Sequence, residues 1–314
     1  MSFVRTLYAK PWIWSFVAAI GVWLVTIAFT GGSSAAGLAQ AALTFAAFSI
    51  IVGIGQMFVI TLGPGNVDLS IPATMTLSGT VALKIMDGSD GQILVGILVA
   101  LAVGLAIGIV NYGLIKLLRI PPIIATLSSS FIIQSAAISY NRGIRIKPPA
   151  ALAEFTTATT LGIPNLAYLA LLVSVAAWIA LEKGIYGRWV SAVGQNMRAA
   201  RMAGVPVDGV RAGTYLLCAV LASLSGLLLS CFSGGAALNM GAEYLLTSIA
   251  VVVIGGTAVA GGFANIPGIW GASLFLFLVV SMLNTYGASA GIRLLLTGAI
   301  IIAVIIAASR TPRT

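Results

Sequence analysis

The chain has 314 residues, of which 60% are hydrophobic and only 7% are charged, and its mean hydropathy is +1.10. Soluble domains carry roughly 25% charged residues, so this composition excludes an ordinary water-soluble globular protein. About 20 helical residues cross a hydrocarbon layer about 30 Å thick, which leaves room for about ten crossings. The apolar run at 93–115 does not alternate as a barrel strand would, and it favours helices.

The composition also excludes most catalytic chemistry. Histidine, the most frequent general base and transition-metal ligand, is absent. Cys218 and Cys231 lie in an apolar stretch, where small core side chains are expected rather than a zinc site or disulfides. Glycine is nowhere followed by lysine, so there is no Walker A motif. The sequence predicts a chain that is not an enzyme and holds no metal or cofactor.

Ten apolar windows follow one another along the chain and predict an all-α polytopic membrane protein. They lie near 12–30, 38–62, 68–86, 92–115, 121–140, 164–182, 212–232, 245–261, 267–287 and 291–308. The first window exceeds the apolar part of a secretory signal, which is roughly 7 to 15 residues long, so we expect an uncleaved first helix.

The positions of the charges predict that both termini are cytoplasmic, since membrane proteins retain Lys and Arg on that side. With the N-terminus inside, eleven of the sixteen basic residues lie there, five of them in the polar loop 183–211. The net charge of +9 therefore indicates topology rather than a nucleic-acid partner. The outer loop 141–164 departs from the pattern with Arg142, Arg145 and Lys147. It re-enters the membrane edge, docks a partner, or is an ordinary solvated loop.

The inner loop contains one predicted helix. Residues 196–203 favour helix, and Gly204 and Pro206 then end it. Arg198 and Arg201 share one face of this helix. The small residues Ala199, Ala200 and Ala203 keep another face narrow enough to enter a groove on a partner protein. A short surface helix lying along the membrane is the alternative.

Two breaks interrupt the apolar windows. The first, GPGNVDLS at 63–70, is followed by Pro72, and the second, GGFANIPG at 261–268, carries an Ile-Pro pair like that at 71–72. Broken membrane helices occur where the backbone lines a cavity or is buried in protein. Asp68 is the acid nearest a membrane segment, which makes it a functional candidate. It is alternatively the N-cap of the third span, and both roles are compatible.

Polar side chains within the apolar windows are candidates for a translocation path. Amide side chains provide the paired donors and acceptors that sugars need. For each residue alone, an interhelical hydrogen bond or an interfacial position is the simpler role. The candidates are Asn66, Asp68, Ser70, Asn111, Thr126, Ser128, Gln134, Asn239 and Asn284.

The inner segment resembles the cytoplasmic loop of ribose-type ABC importer permeases, whose GRxxxAxGxNxxAAxxxGI-like stretch forms the coupling helix that seats in the ATPase. The matching residues are Gly187, Arg188, Ala192, Gly194, Asn196, Ala199, Ala200 and Gly204. Three more matches keep the family's order, namely GQMFVI with VDLS at 55–70, Asn111 and Gly113 before IPPIIATL at 120–127, and VVVIGGT with Gly261 and Gly262. The resemblance covers nearly the whole chain. It departs from the family at GPGNVDLS, where a compact GGIDLS turn is usual.

The resemblance implies a bacterial inner-membrane permease subunit, with residues 1–314 as one transmembrane domain and a coupling loop at about 183–211. It implies a second permease chain, identical or related, and a periplasmic binding protein that delivers a monosaccharide or related polyol. A separate ATPase subunit would bind ATP and Mg²⁺ and contact the coupling residues. These are Gly187, Arg188, Gly194, Asn196, Arg198, Ala199, Ala200, Arg201 and Gly204.

Two other functions remain open on the residues alone. A secondary transporter driven by an ion gradient would need intramembrane acids or bases, and the chain offers little beyond Asp68. An integral-membrane enzyme would need a base or a metal cluster, which the composition disfavours.

Overall fold

The computed structural model describes residues 11–32, 35–141, 146–289, 291–292, 294–299 and 302. The helices are α1 (Pro11–Thr30), α2 (Ala35–Thr61), α3 (Ile71–Met86), α4 (Ile93–Leu117), α5 (Pro122–Tyr140), α6 (Ala150–Thr157), α7 (Asn165–Trp178), α8 (Ile185–Gln195), α9 (Met197–Met202), α10 (Val207–Phe232), α11 (Tyr244–Ile254) and α12 (Ile266–Thr285). A 3₁₀ turn (Asp90–Gln92) precedes α4, and a π-helical turn (Ile179–Lys183) continues α7. Residues 291–292, 294–299 and 302 are also helical.

The helices confirm an all-α polytopic membrane protein, apart from one short hairpin. In the described ranges seven helical spans are long and apolar enough to cross a membrane, namely α1, α2, α4 with its 3₁₀ turn, α5, α7 together with its π-helical turn, α10 and α12. The apolar helices α3 and α11 are shorter, with 16 and 11 residues. The tenth window, near 291–308, falls partly outside the described residues. Ten crossings and cytoplasmic termini therefore stay predictions.

The two breaks explain why α3 and α11 are short. The window from 68 predicts helix too early, because 62–70 is not helical and Gly63 and Gly65 have φ of +109° and +78°. The window to 261 extends too far, because α11 ends at Ile254 and Gly256 has φ of +85°. Left-handed backbone of this kind ends a helix and favours glycine.

The core lies between α2 and α10. Both helices are largely buried, and the most enclosed side chains include Phe48, Met57, Phe58 and Tyr215. Lipid tails are as apolar as leucine, so helices in a membrane associate through close packing rather than hydrophobic burial. Gly108 of α4 provides one such contact, because a Cβ there would lie 2.7 Å from Leu216 Cα of α10.

The two long loops are more structured than the sequence indicates. The segment predicted as an inner loop at 183–211 holds α8, α9 and the first residues of α10. The outer segment holds α6 and an antiparallel hairpin, β1 (Thr159–Thr160) with β2 (Ile163–Pro164). Leu152 of α6 packs into a small core with Met86 and Leu227. Arg142 and Arg145 lie outside the described residues, and Lys147 is exposed.

We expect Gly108→Ala to lower the free energy of unfolding by about 1–3 kcal/mol, because the added methyl group has no room against α10. Gly113→Ala on the same helix is the matched control, since a Cβ there meets nothing within 4 Å. Denaturant titration of the purified protein in micelles measures both variants. Equal stabilities of the two variants would contradict this packing.

Candidate functional site

The first break is closed by side chains from neighbouring elements. The Asn66 Nδ2 group donates to Gly63 O at 3.1 Å. The Tyr215 hydroxyl, from α10, donates to Asn66 Oδ1 at 3.2 Å. The GPGN segment is therefore a defined turn that is attached to α10.

Asp68 lies at the centre of this break and is 1% exposed. Its Oδ1 accepts from the Ser70 backbone N at 2.9 Å and from Ser70 Oγ at 2.6 Å. The N-cap residue of α3 is Ser70, so the alternative that Asp68 is the N-cap is wrong, although its carboxylate does accept a backbone N–H at the start of the helix, that of Ser70. A capping side chain bonds the N–H of the second or third helical residue, and here Pro72 occupies the second position without an N–H.

Two helices, α4 and α5, supply further polar groups around Ser70. The Asn111 Nδ2 group of α4 donates to Ser70 Oγ at 2.8 Å, and Asn111 Oδ1 accepts from Ser129 of α5. Thr126 Oγ1, also on α5, accepts from Leu69 N at 3.0 Å. We call Asp68, Ser70, Asn111, Thr126 and Ser129 the buried polar network, since each is at most 2% exposed.

Two buried side-chain atoms, one in the network and one next to it, have no hydrogen-bond partner among the described residues. Gln56 Oε1 accepts from Asp68 N at 3.2 Å and lies 3.9 Å from Cys218 Sγ, which fixes the orientation of the amide. Gln56 Nε2 and Asp68 Oδ2 are then buried without a partner in the described part of the chain. One is a donor and the other an acceptor, which are the two hydrogen-bonding functions that a hydroxyl group combines.

The structure brings five of the predicted path residues together, namely Asn66, Asp68, Ser70, Asn111 and Thr126. The others lie apart. Gln134 Nε2 donates to Leu238 O at 2.7 Å, far along α5 from Thr126, and Asn239 is exposed beside this contact. Ser128 is exposed on α5, and Asn284 is exposed near the end of α12.

Sequence reasoning missed Gln56, Ser129, Tyr215 and Cys218. Helical spacing points to Ser129 rather than Ser128, because residues three apart share a face and Thr126 already faces inward. Gln56 is a single amide in a long apolar stretch of α2, which is itself a signal. Nothing in the sequence around Tyr215 and Cys218 distinguishes them from ordinary core residues of an apolar helix.

The predicted short inner helix is confirmed as α9. Asn196 is its N-cap, and Asn196 Oδ1 accepts from the backbone N of Arg198 at 3.1 Å and of Ala199 at 3.0 Å. Gly204 ends the helix with φ of +82°. Its N–H donates to Arg201 O at 3.1 Å.

The predicted faces of α9 need one correction. Ala200 is 5% exposed and joins the main core with Val193 and Val207, so it faces this chain and not a partner. Arg201 lies 3.8 Å from Asp208 of α10. The outward face of α9 and its C-cap consists of the exposed residues Arg198, Ala199, Arg201, Met202 and Ala203, with Met202 90% exposed.

The preceding helix α8 is held tightly. Gly187 and Gly194 are buried, and a Cβ at Gly187 would overlap Leu181 O. The Tyr186 hydroxyl donates to Val210 O at 3.2 Å, which ties α8 to α10, and burial raises the pKa of Tyr186. Arg188 of α8 is exposed.

The region that matches known proteins includes both the buried polar network and α9. A family model described as branched-chain amino acid transport system / permease component matches residues 37–305. Ribose import permease protein RbsC of Escherichia coli (strain K12) is 31% identical over 257 residues, 80% of this chain and 79% of that protein. The probable ABC transporter permease protein y4mJ of Sinorhizobium fredii is 31% identical over 82% of this chain and 77% of its own length.

A further relative is the autoinducer 2 import system permease protein LsrD of Photorhabdus laumondii. It is 28% identical over 78% of this chain and 75% of its own length. No solved structure matches this chain.

We expect Ser129→Ala to lower the free energy of unfolding by about 1–3 kcal/mol, because it leaves the buried Asn111 Oδ1 without a donor. Ser128→Ala is the matched control on the same helix, and its exposed position predicts a change within about 0.5 kcal/mol. Thermal unfolding of the purified protein in nanodiscs compares the two. A tolerated Ser129→Ala would argue against the network.

Proposed function

Because the chain belongs to the family of permease components described for branched-chain amino acid transport systems, we propose that it forms part of the translocation path of an ABC importer for a monosaccharide or related polyol. One observation carries the proposal. The segments that match the family include the break between α2 and α3, which amide and hydroxyl groups line, and the short exposed helix α9. Helix α8 packs between these two features.

The chemistry of the buried polar network favours a polyhydroxyl solute over an amino acid. An amino acid presents a carboxylate, which a cation or free helix N-terminal N–H groups would bind. The described residues of the network include one acid and no Lys or Arg, and Pro72 removes an N–H from the first turn of α3. Two relatives are named for the import of ribose and autoinducer 2, in agreement with this choice.

The proposed orientation places α8 and α9 on the cytoplasmic side of a bacterial inner membrane. Five basic residues in 183–211 support it. The outward face of α9 then contacts the ATPase subunit, which binds ATP and Mg²⁺. A periplasmic binding protein docks at the opposite end, where α6 and the hairpin lie, and a second permease chain completes the path.

In this mechanism, ATPase closure displaces α9 and tips the spanning helices between outward- and inward-open states, a rigid-body type of change. The exposed contacts that hold α9 would not prevent this. The ion pair between Arg201 of α9 and Asp208 of α10 involves side chains that are about half exposed or more, and exposed pairs of this kind contribute about 0–1 kcal/mol.

We expect Met202→Asp to weaken ATPase association by about tenfold and to reduce uptake, because it places a charge on the apolar centre of the outward face. Leu161→Asp is the control, since Leu161 is 93% exposed in the hairpin. Copurification from membranes measures association, and thermal unfolding verifies the fold. Full association and uptake in Met202→Asp would exclude this contact.

The function itself is tested by reconstituting the chain in proteoliposomes with the ATPase and binding protein encoded beside it. We expect uptake of labelled ribose that needs ATP and persists when ionophores collapse the ion gradients. Uptake that depends on an ion gradient and not on the ATPase would support a secondary transporter instead. Uptake of leucine but not ribose would overturn the proposed solute class.

A further inference from the structure

We propose that Gly194 is a positioning residue through which α8 and α9 act on both breaks at once. The inference rests on the proposed function, because it assigns the route by which ATPase closure reaches the path. It concerns three segments that are distant in sequence, namely the end of α8 and the two breaks, which in the structure are the non-helical residues 62–70 and 255–265.

Gly194 lies in the last turn of α8 and is in direct backbone contact with both breaks. A Cβ at this position would overlap Thr61 O, the last carbonyl of α2, and also Gly262 N. Thr61 O in turn accepts a hydrogen bond from Gly262 N at 2.9 Å. No side chain larger than hydrogen fits between these atoms.

The two breaks also contact each other at this point. A Cβ at Gly261 would overlap Gly63 Cα and would lie 2.8 Å from Gly194 O. Gly261 and Gly63 have φ of +90° and +109°, so glycine is favoured there by conformation as well as by space. We call Thr61, Gly63, Gly194, Gly261 and Gly262 the glycine junction.

Short connections lead from the junction to the elements that would move. Only Gln195 separates Gly194 from Asn196, the cap of α9. Gly63 O accepts from Asn66, two residues before Asp68. On the other side, Gly262 lies three residues before Asn265, whose Nδ2 donates to Gly255 O at 2.9 Å and whose Oδ1 caps α12.

Backbone contacts of this kind transmit displacement well. Close-packed interiors have low compressibility, and a contact between backbones has no side-chain rotamers that absorb a shift. A movement of α9 therefore displaces the starts of α3 and α12 together. A purely structural glycine would instead affect stability and leave the ratio of transport to ATP hydrolysis unchanged.

The test uses the full complex in nanodiscs and proteoliposomes, with Gly194→Ala and the control Gly209→Ala. Gly209 lies at the start of α10, and a Cβ there meets nothing within 4 Å. We expect Gly194→Ala to retain ATP hydrolysis while solute transported per ATP falls about fivefold or more, and Gly209→Ala to match wild type. Unchanged transport per ATP in Gly194→Ala would overturn the proposal.

Hydrogen exchange gives a second readout, and its wild-type arm does not depend on how the variant folds. In the wild-type complex, a non-hydrolysable ATP analogue should change exchange in peptides covering 61–68 and 256–265 as well as 185–204. In Gly194→Ala the change should stay within 185–204. A wild-type change confined to 185–204 overturns the inference, whereas a wild-type complex without ATP-dependent uptake overturns the proposed function.

Discussion

The structure depends on satisfying the backbone polar groups of residues 62–70 inside an apolar bundle. A helix satisfies its own N–H groups, but a break does not, and an unpaired group in a membrane costs several kcal/mol. Side-chain oxygens replace the missing partners. Gln56 accepts from Asp68 N, Thr126 from Leu69 N, and Asp68 itself from Ser70 N. Each of these side chains must be held in place, so α2, α4, α5 and α10 surround the break.

The same requirement makes the break a suitable place for solute chemistry. Polar groups that stabilise an interrupted backbone are already aligned and desolvated, and a second lone pair or N–H group on the same side chain is available to a solute on the proposed path. Gln56 Nε2 and Asp68 Oδ2 are two such atoms, because neither has a hydrogen-bond partner among the described residues. One group of side chains therefore serves both the fold and the proposed recognition of hydroxyl groups.

Two kinds of contact hold the segment that would meet the ATPase, and they differ in stiffness. The outer contact of α9 is the exposed ion pair of Arg201 with Asp208, which yields easily. The inner contacts are backbone to backbone at the glycine junction, and they do not yield without moving α2 and the loop before α12. A helix that is loosely held outside and firmly coupled inside is suited to carrying motion inward.

The sequence by itself determined the membrane class, nine of the helices, the position of α9 with its Asn196 cap and Gly204 end, and the two breaks. These depend on local composition and on residues close in the chain. Tertiary structure alone decided that Asn111, Thr126 and Ser129 join Asp68 and Ser70 in one network, whereas Gln134 and Asn239 lie elsewhere. It also decided that Ala200 faces inward and that Gly63, Gly194 and Gly261 touch. Those outcomes depend on how distant helices are rotated and brought together, and short-range patterns carry little information about either.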